Sequence, residues 1–104
     1  MEPRRVVTVL LIDDDPASRR MNEANLRAKG YVVMLASEGS AALELVKQSP
    51  PSVIFLHMQA GSAGRSELIA SLRANDSSRH VPIVFLADSN SHRAGLTLVG
   101  RDGW

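Results

Sequence analysis

Four short apolar runs, separated by stretches of helical character, constrain the fold of this 104-residue chain more than any other feature. The runs are rich in β-branched residues, and each is typical of a strand buried on both faces, as in a parallel sheet. They cover residues 6–12, 31–36, 52–56 and 82–86. Because strands and helices alternate with short links, right-handed crossovers are expected. The pattern therefore predicts an α/β fold, with a doubly wound parallel sheet between two helical layers.

The first helix has clear start and stop signals. Asp15 is a good N-cap, and Pro16 stands where the first helical residue tolerates the loss of an N–H group. The helix is expected to reach about Lys29, with Gly30 as the stop. Its apolar residues at helical spacing are Ala17, Met21, Ala24 and Ala28. This stripe is the predicted buried face.

Two further helices are predicted between the later strands. The second ends near Gln48, before two prolines, and the third fades by Asp76. Their apolar residues are Ala42, Leu45 and Val46 in the second helix and Leu68, Ile69 and Leu72 in the third.

The regular alternation stops after the fourth strand, and residues 89–104 form an atypical tail. Residues 96–99 are a candidate fifth strand at the edge of the sheet, followed by a polar end at 100–104. No residues remain for a last helix, so apolar surface is expected to stay open. We therefore expect a homodimer or docking onto a protein partner. A truncated regulator and a frame-shifted tail are alternative explanations.

Composition excludes several classes of protein. The chain has no cysteine, which removes disulfides, thiolate metal sites and a cysteine nucleophile. Its net charge is +1, and its arginine pairs are isolated, so direct nucleic-acid binding is not expected. Residues 6–12, the longest uncharged apolar run, are too short to span a membrane, and no secretory signal precedes them. We expect one cytoplasmic domain over residues 1–104.

Polar residues follow three of the predicted strands. Asp13 and Asp14 come after the first, His57 after the third, and Asp88 with Ser89 after the fourth. Function in parallel sheets gathers at the carboxyl ends of strands. The two adjacent carboxylates suggest a Mg²⁺ site, since Mg²⁺ takes one or two carboxylates plus waters. The alternative is that Asp13, Asp14 and Asp15 only cap the helix and contact solvent.

Several motifs resemble response-regulator receiver domains of the CheY-like, flavodoxin-like fold. They are LLIDDDP at 10–16, ASEG at 36–39 with AAL at 41–43, PSVIFL at 51–56 and RHVPIVFL at 79–86. The resemblance covers about residues 5–88 and implies the strand order 2-1-3-4. It also implies signalling within a two-component system.

The resemblance implies phosphoryl transfer from a histidine kinase to an aspartate at the end of the third strand, assisted by Mg²⁺ on the acidic pair. The acidic pair is present as Asp13 and Asp14, but the acceptor position holds His57. The hydroxyl position holds Ala87, and the expected Lys-Pro is absent. We therefore expect a degenerate receiver that is not an enzyme and acts through contacts with a kinase, an output protein or itself.

The histidine also changes the electrostatics expected of the acidic pocket. Two nearby carboxylates should raise the pKa of His57 above its ordinary value of about 6.5. A protonated His57 would then replace the cation, and no Mg²⁺ would be required. The alternatives are a transition-metal site that uses neutral His57 with Asp14, a receiver still regulated by Mg²⁺, and a phosphohistidine at His57.

One alternative lies in a different class. The Asp13-x-Asp15 pattern after a buried strand superficially resembles the nucleophile motif of haloacid-dehalogenase-type phosphatases and phosphotransferases, which are Mg²⁺-dependent. That family expects Thr or Val where this chain has Ala17, and it also expects a downstream lysine and paired acids that lack good candidates here. Hydrolysis of a generic phosphate ester would distinguish the two classes.

Overall fold

The computed structural model of the chain describes residues 6–58, 63–86 and 98–101. Its elements are β1 (Thr8–Asp13), α1 (Pro16–Ala28), β2 (Val32–Ala36), α2 (Gly39–Gln48), β3 (Val53–His57), α3 (Ala63–Ala74), β4 (Ile83–Leu86) and β5 (Leu98–Arg101). The strands form one sheet in the order β2-β1-β3-β4-β5. β1 to β4 are parallel, so the predicted doubly wound fold and the order 2-1-3-4 are confirmed.

β5 differs from the sequence prediction. It begins at Leu98 rather than residue 96 and includes Gly100 and Arg101, which the sequence analysis assigns to a polar end. It also pairs antiparallel with β4. The eleven residues between Leu86 and Leu98 are fewer than the dozen or more that a parallel crossover needs. An antiparallel return satisfies the backbone of β4 without such a crossover.

The sheet separates two hydrophobic layers, because successive side chains of a strand point to opposite faces. The layer below α2 and α3 is built from ten buried residues: Leu10, Ile12, Ala36, Ala42, Val46, Ile54, Leu56, Leu68, Leu72 and Ile83. The layer on the α1 side has five: Val9, Leu11, Leu26, Val33 and Leu86. Among the described residues, the layer on the α1 side is therefore the smaller of the two.

The caps of α1 agree with the prediction, but its buried face does not. Asp15 caps the helix by accepting a hydrogen bond from the Ser18 N–H at 3.1 Å, and Gly30 has the left-handed φ of 94°. The buried residues are Asn22 and Leu26. The predicted face is exposed throughout: Ala17, Met21, Ala24 and Ala28. The helix is turned this way because polar side chains of α1 hydrogen-bond to the end of β1, as described below.

The other helices follow their apolar patterns. α2 buries Ala42 and Val46, and α3 buries Leu68 and Leu72. Leu45 and Ile69 are half-buried and pack against the same layer. Among the described residues, no helix has the length and apolar character needed to cross a membrane.

Candidate functional site

The site lies where β1 and β3 end, at the carboxyl edge of the sheet. Both strands extend one residue beyond their predicted ends, so Asp13 closes β1 and His57 closes β3. These two residues stand opposite each other in the parallel register. Asp13, Asp14 and His57 each place a potential metal-ligand atom within 4.8 Å of the others. The structure therefore brings these three predicted site residues together, whereas Ala87, Asp88 and Ser89 lie outside the described residues.

The carboxylate of Asp13 is fully buried, and both of its oxygens accept hydrogen bonds. Oδ1 accepts from the backbone N–H of Asp15 at 3.0 Å and lies 2.9 Å from Nδ1 of His57. Oδ2 accepts from the Ser18 hydroxyl at 2.6 Å and from Nδ2 of Asn22 at 3.2 Å. A buried charge needs such partners, because burial without them is very unfavourable.

His57 is only 8% exposed, and its contact with Asp13 assigns one ring proton. An ionised carboxylate can only accept, so Nδ1 of His57 carries the proton in this hydrogen bond. The same nitrogen lies 3.1 Å from the Ser18 Oγ. The contact forms with either a neutral or a positively charged ring, so the raised pKa of His57 stays a prediction.

Ser18, Arg19 and Asn22 are the residues of the site that the sequence analysis missed. Ser18 and Arg19 are neighbours in the first turn of α1 and Asn22 lies one turn later, where it also donates to the Ser18 Oγ at 3.2 Å. Nη1 of Arg19 donates to the backbone oxygen of Asp13 at 2.9 Å. Ser18 and Asn22 are four residues apart, so they share one helix face, and they follow closely after the acidic end of β1. This spacing could have indicated the pair. α1 thus holds Asp13 from both its side chain and its backbone.

The remaining acidic residues have different roles. Asp15 caps α1, so the helix-capping alternative is right for this residue. Asp14 is exposed at the mouth of the site. It is the carboxylate most accessible to a ligand.

The donor set matches Mg²⁺ only in part. Two carboxylates are present, which is the number that protein Mg²⁺ sites commonly use. However, the oxygens of Asp13 already face four hydrogen-bond donors, and the third group is an imidazole. Mg²⁺ prefers oxygen ligands, whereas imidazole suits transition metals. Among the described acidic and histidine side chains, the site therefore offers a cation two carboxylates and one imidazole.

The sequence profile of the response regulator receiver domain matches residues 9–100. Together with the fold and the acidic strand end, this match defines the class: the chain belongs to the receiver-domain family of two-component response regulators. Membership of this family leaves the dehalogenase-type alternative without a supporting observation.

Individual relatives agree with this assignment. The probable transcriptional regulatory protein TcrX of Mycobacterium tuberculosis is 30% identical over 97 residues, which cover 92% of this chain and 42% of the relative. The chain spans less than half the length of the curated relatives that it matches.

Two solved structures show the same fold. The chemotaxis response regulator CheY4 of Vibrio cholerae has a TM-score of 0.71 and 25% identity, over 84% of this chain and 72% of that chain. The receiver domain of a sensor histidine kinase from Pseudomonas aeruginosa PAO1 has a TM-score of 0.72 and 26% identity, over 80% of this chain and 68% of that chain. The latter was solved with a magnesium ion coordinated in its active-site cleft.

Proposed function

We propose that this chain is a receiver-type signalling module that works without phosphorylation and acts through protein–protein contacts. The observation that carries the proposal is His57. Its imidazole stands at the end of β3, where the family resemblance puts the phospho-acceptor aspartate, and it is hydrogen-bonded to Asp13. The degenerate position is therefore integrated into the pocket.

The chemistry of this arrangement opposes phosphoryl transfer. An aspartate acceptor forms an acyl phosphate through attack by a carboxylate oxygen, and an imidazole cannot form that species. Asp13 is a poor substitute because it is fully buried and its oxygens are hydrogen-bonded. The family's hydroxyl position is Ala87, which has no oxygen to stabilise transferred charge.

The same contacts support independence from Mg²⁺. In a receiver with three clustered carboxylates, a cation relieves their mutual repulsion. Here the Nδ1–H of His57, the Ser18 hydroxyl and the Asn22 amide point at Asp13 instead. These donors thus stabilise the buried carboxylate of Asp13 without a cation. To bind Asp13, Mg²⁺ would have to displace at least one of them.

The partners follow from the family. Receiver domains work with kinases and output domains, and the matched relatives include transcriptional regulators much longer than this chain. We assign to this chain a kinase, an output protein or a second copy as the contact partner, with no direct role in nucleic-acid binding.

The proposal is tested by incubating the chain with Mg²⁺ and a small phosphodonor, acetyl phosphate or phosphoramidate, and recording the intact mass. No phosphorylated species is expected with either donor. A phosphoryl group that is lost in His57→Gln and kept in His80→Gln would instead identify a phosphohistidine at His57. His80 is the matched control because it is exposed and distant in sequence from the site.

A further inference from the structure

The end of β3 adds a nitrogen donor to the two carboxylates of the site. Asp13, Asp14 and His57 each place one ligand atom within 4.8 Å of the others. Among the described residues, they form the one cluster of three acidic or histidine side chains with this geometry. The chain has no cysteine, so thiolate ligands are excluded. The cluster therefore combines carboxylate oxygens with an imidazole nitrogen.

We propose that this pocket binds a transition-metal ion of the Zn²⁺ type in preference to Mg²⁺. Imidazole suits Zn²⁺ and its neighbours in the first row, whereas Mg²⁺ prefers oxygen ligands in near-octahedral geometry. Zn²⁺ sites combine histidine nitrogen with carboxylate oxygen, and those with three protein ligands keep a fourth position for water or another ligand. One histidine and two aspartates match that donor set. A histidine at the end of β3 thus changes which cation the pocket selects.

The contact between His57 and Asp13 has nearly the spacing that a shared metal ion needs. Nδ1 of His57 lies 2.9 Å from Oδ1 of Asp13. Two ligand atoms bound to a tetrahedral Zn²⁺ are about 3.3 Å apart, so the pair has to open by only about 0.4 Å. The ion then takes the place of the Nδ1 proton, and a neutral ring carries its proton on Nε2.

The other hydrogen bonds of Asp13 are compatible with this exchange. The Ser18 hydroxyl and the Asn22 amide donate to Oδ2, at 2.6 and 3.2 Å, rather than to the oxygen that faces the ring. The ring is the donor that becomes a nitrogen ligand when its proton leaves. Mg²⁺ gains little from this exchange, because oxygen ligands suit it better than imidazole does.

The charges around the pocket also favour an ion that forms a bond to nitrogen. Asp14 is exposed, so its carboxylate can turn towards the ion at little cost. Arg19 donates from Nη1 to the backbone oxygen of Asp13 at 2.9 Å, which places a positive charge beside the pocket. This charge weakens the attraction of the pocket for any cation. The bond to imidazole offsets that loss for a transition metal and not for Mg²⁺.

Calorimetric titration of the full chain with Zn²⁺ and, separately, with Mg²⁺ tests the preference. The wild type should bind Zn²⁺ at least about ten times more tightly than Mg²⁺. His57→Gln keeps an amide in the pocket but offers no imidazole, so its Zn²⁺ affinity should fall at least about tenfold. His80→Gln removes an exposed histidine and should bind as the wild type does. Equal affinities of the wild type for the two ions, or an unchanged Zn²⁺ affinity in His57→Gln, would overturn the proposal.

An exposed ligand provides a second variant that does not disturb the core. Asp14→Asn removes an exposed carboxylate and should weaken Zn²⁺ binding. Asp76→Asn makes the same change between α3 and β4, at a side chain that is 96% exposed, and should leave the affinity unchanged. Circular dichroism checks that all the variants fold. Equal affinities in the two aspartate variants would show that Asp14 is not a ligand and contradict the proposed site.

Co²⁺, a paramagnetic substitute for Zn²⁺, locates the ion. In ¹H–¹⁵N spectra of the wild type, the amide signals of Asp13, Asp14 and His57 should shift or broaden first. Changes confined to the surroundings of His80 would place the metal elsewhere and overturn the proposal. The inference goes beyond the proposed function and fails separately from it, because phosphorylation is read from the intact mass and metal preference from the titration.

Discussion

At the scale of single residues, the site centres on the buried carboxylate of Asp13. Four donors face its two oxygens: the Asp15 backbone, the His57 ring, the Ser18 hydroxyl and the Asn22 amide. Two of these side chains come from α1 and one from β3. The carboxylate therefore connects the helix to the two central strands.

Removal of the shortest of these hydrogen bonds should be measurable. Ser18→Ala leaves one oxygen of a buried carboxylate with a single donor, so the free energy of unfolding should fall by about 1–3 kcal/mol. Urea unfolding measures the change. Ser66→Ala, at an exposed position of α3, should stay within about 0.5 kcal/mol of the wild type. Equal losses in the two variants would show that Ser18 does not support Asp13.

The residues at strand ends were predictable, but their supporting contacts were not. Asp13, Asp14 and His57 follow β-branched runs, and the ends of parallel strands meet at one edge, so their clustering follows from the pattern. Ser18 and Asn22 do not lie at a strand end, and only their i, i+4 spacing points to a shared helix face. Their role depends on how α1 is turned about its axis, which is decided by contacts across the chain.

At the scale of elements, α1 shows where apolar periodicity misleads. Ala17, Met21, Ala24 and Ala28 form the most regular apolar stripe of the helix, yet Asn22 and Leu26 are the buried residues. Hydrogen bonds to Asp13 and the packing of one leucine outweigh the burial of three alanines and a methionine. The strands were easier to predict, because a continuous apolar run indicates a strand that is buried on both faces. The prediction then does not depend on which face is turned towards the core. β5 was harder, since its direction depends on the length of the preceding connection.

The start of α1 provides a test at this scale. Asp15→Ala removes the N-cap acceptor for the Ser18 N–H and should lower the free energy of unfolding by about 1 kcal/mol. Asp14→Ala, the same change one residue earlier, should leave stability nearly unchanged, because Asp14 is exposed and does not cap the helix. Thermal unfolding of both variants decides the matter. A larger loss in Asp14→Ala would contradict the assigned cap.

At the scale of the whole molecule, the chain combines a receiver fold with two departures from the pattern expected of that family. The first, which is part of the proposed function, is His57 at the position where the family resemblance puts an acceptor aspartate; the second is that, among the described helices, α1 alone lies on its side of the sheet, where it contacts β1 and β2. The first departure underlies the proposed independence from phosphorylation.

The most direct test of the central claim is an ¹H–¹⁵N NMR titration of the folded chain with Mg²⁺ and then with beryllofluoride, a mimic of the phosphoryl group. We expect neither reagent to shift the amide signals of the wild type. His57→Asp restores a third carboxylate, so its signals near Asp13 should respond to Mg²⁺, whereas His80→Asp should behave as the wild type does. Mg²⁺-dependent shifts at Asp13, Asp14 and His57 of the wild type, followed by a further response to beryllofluoride, would contradict a phosphorylation-independent receiver.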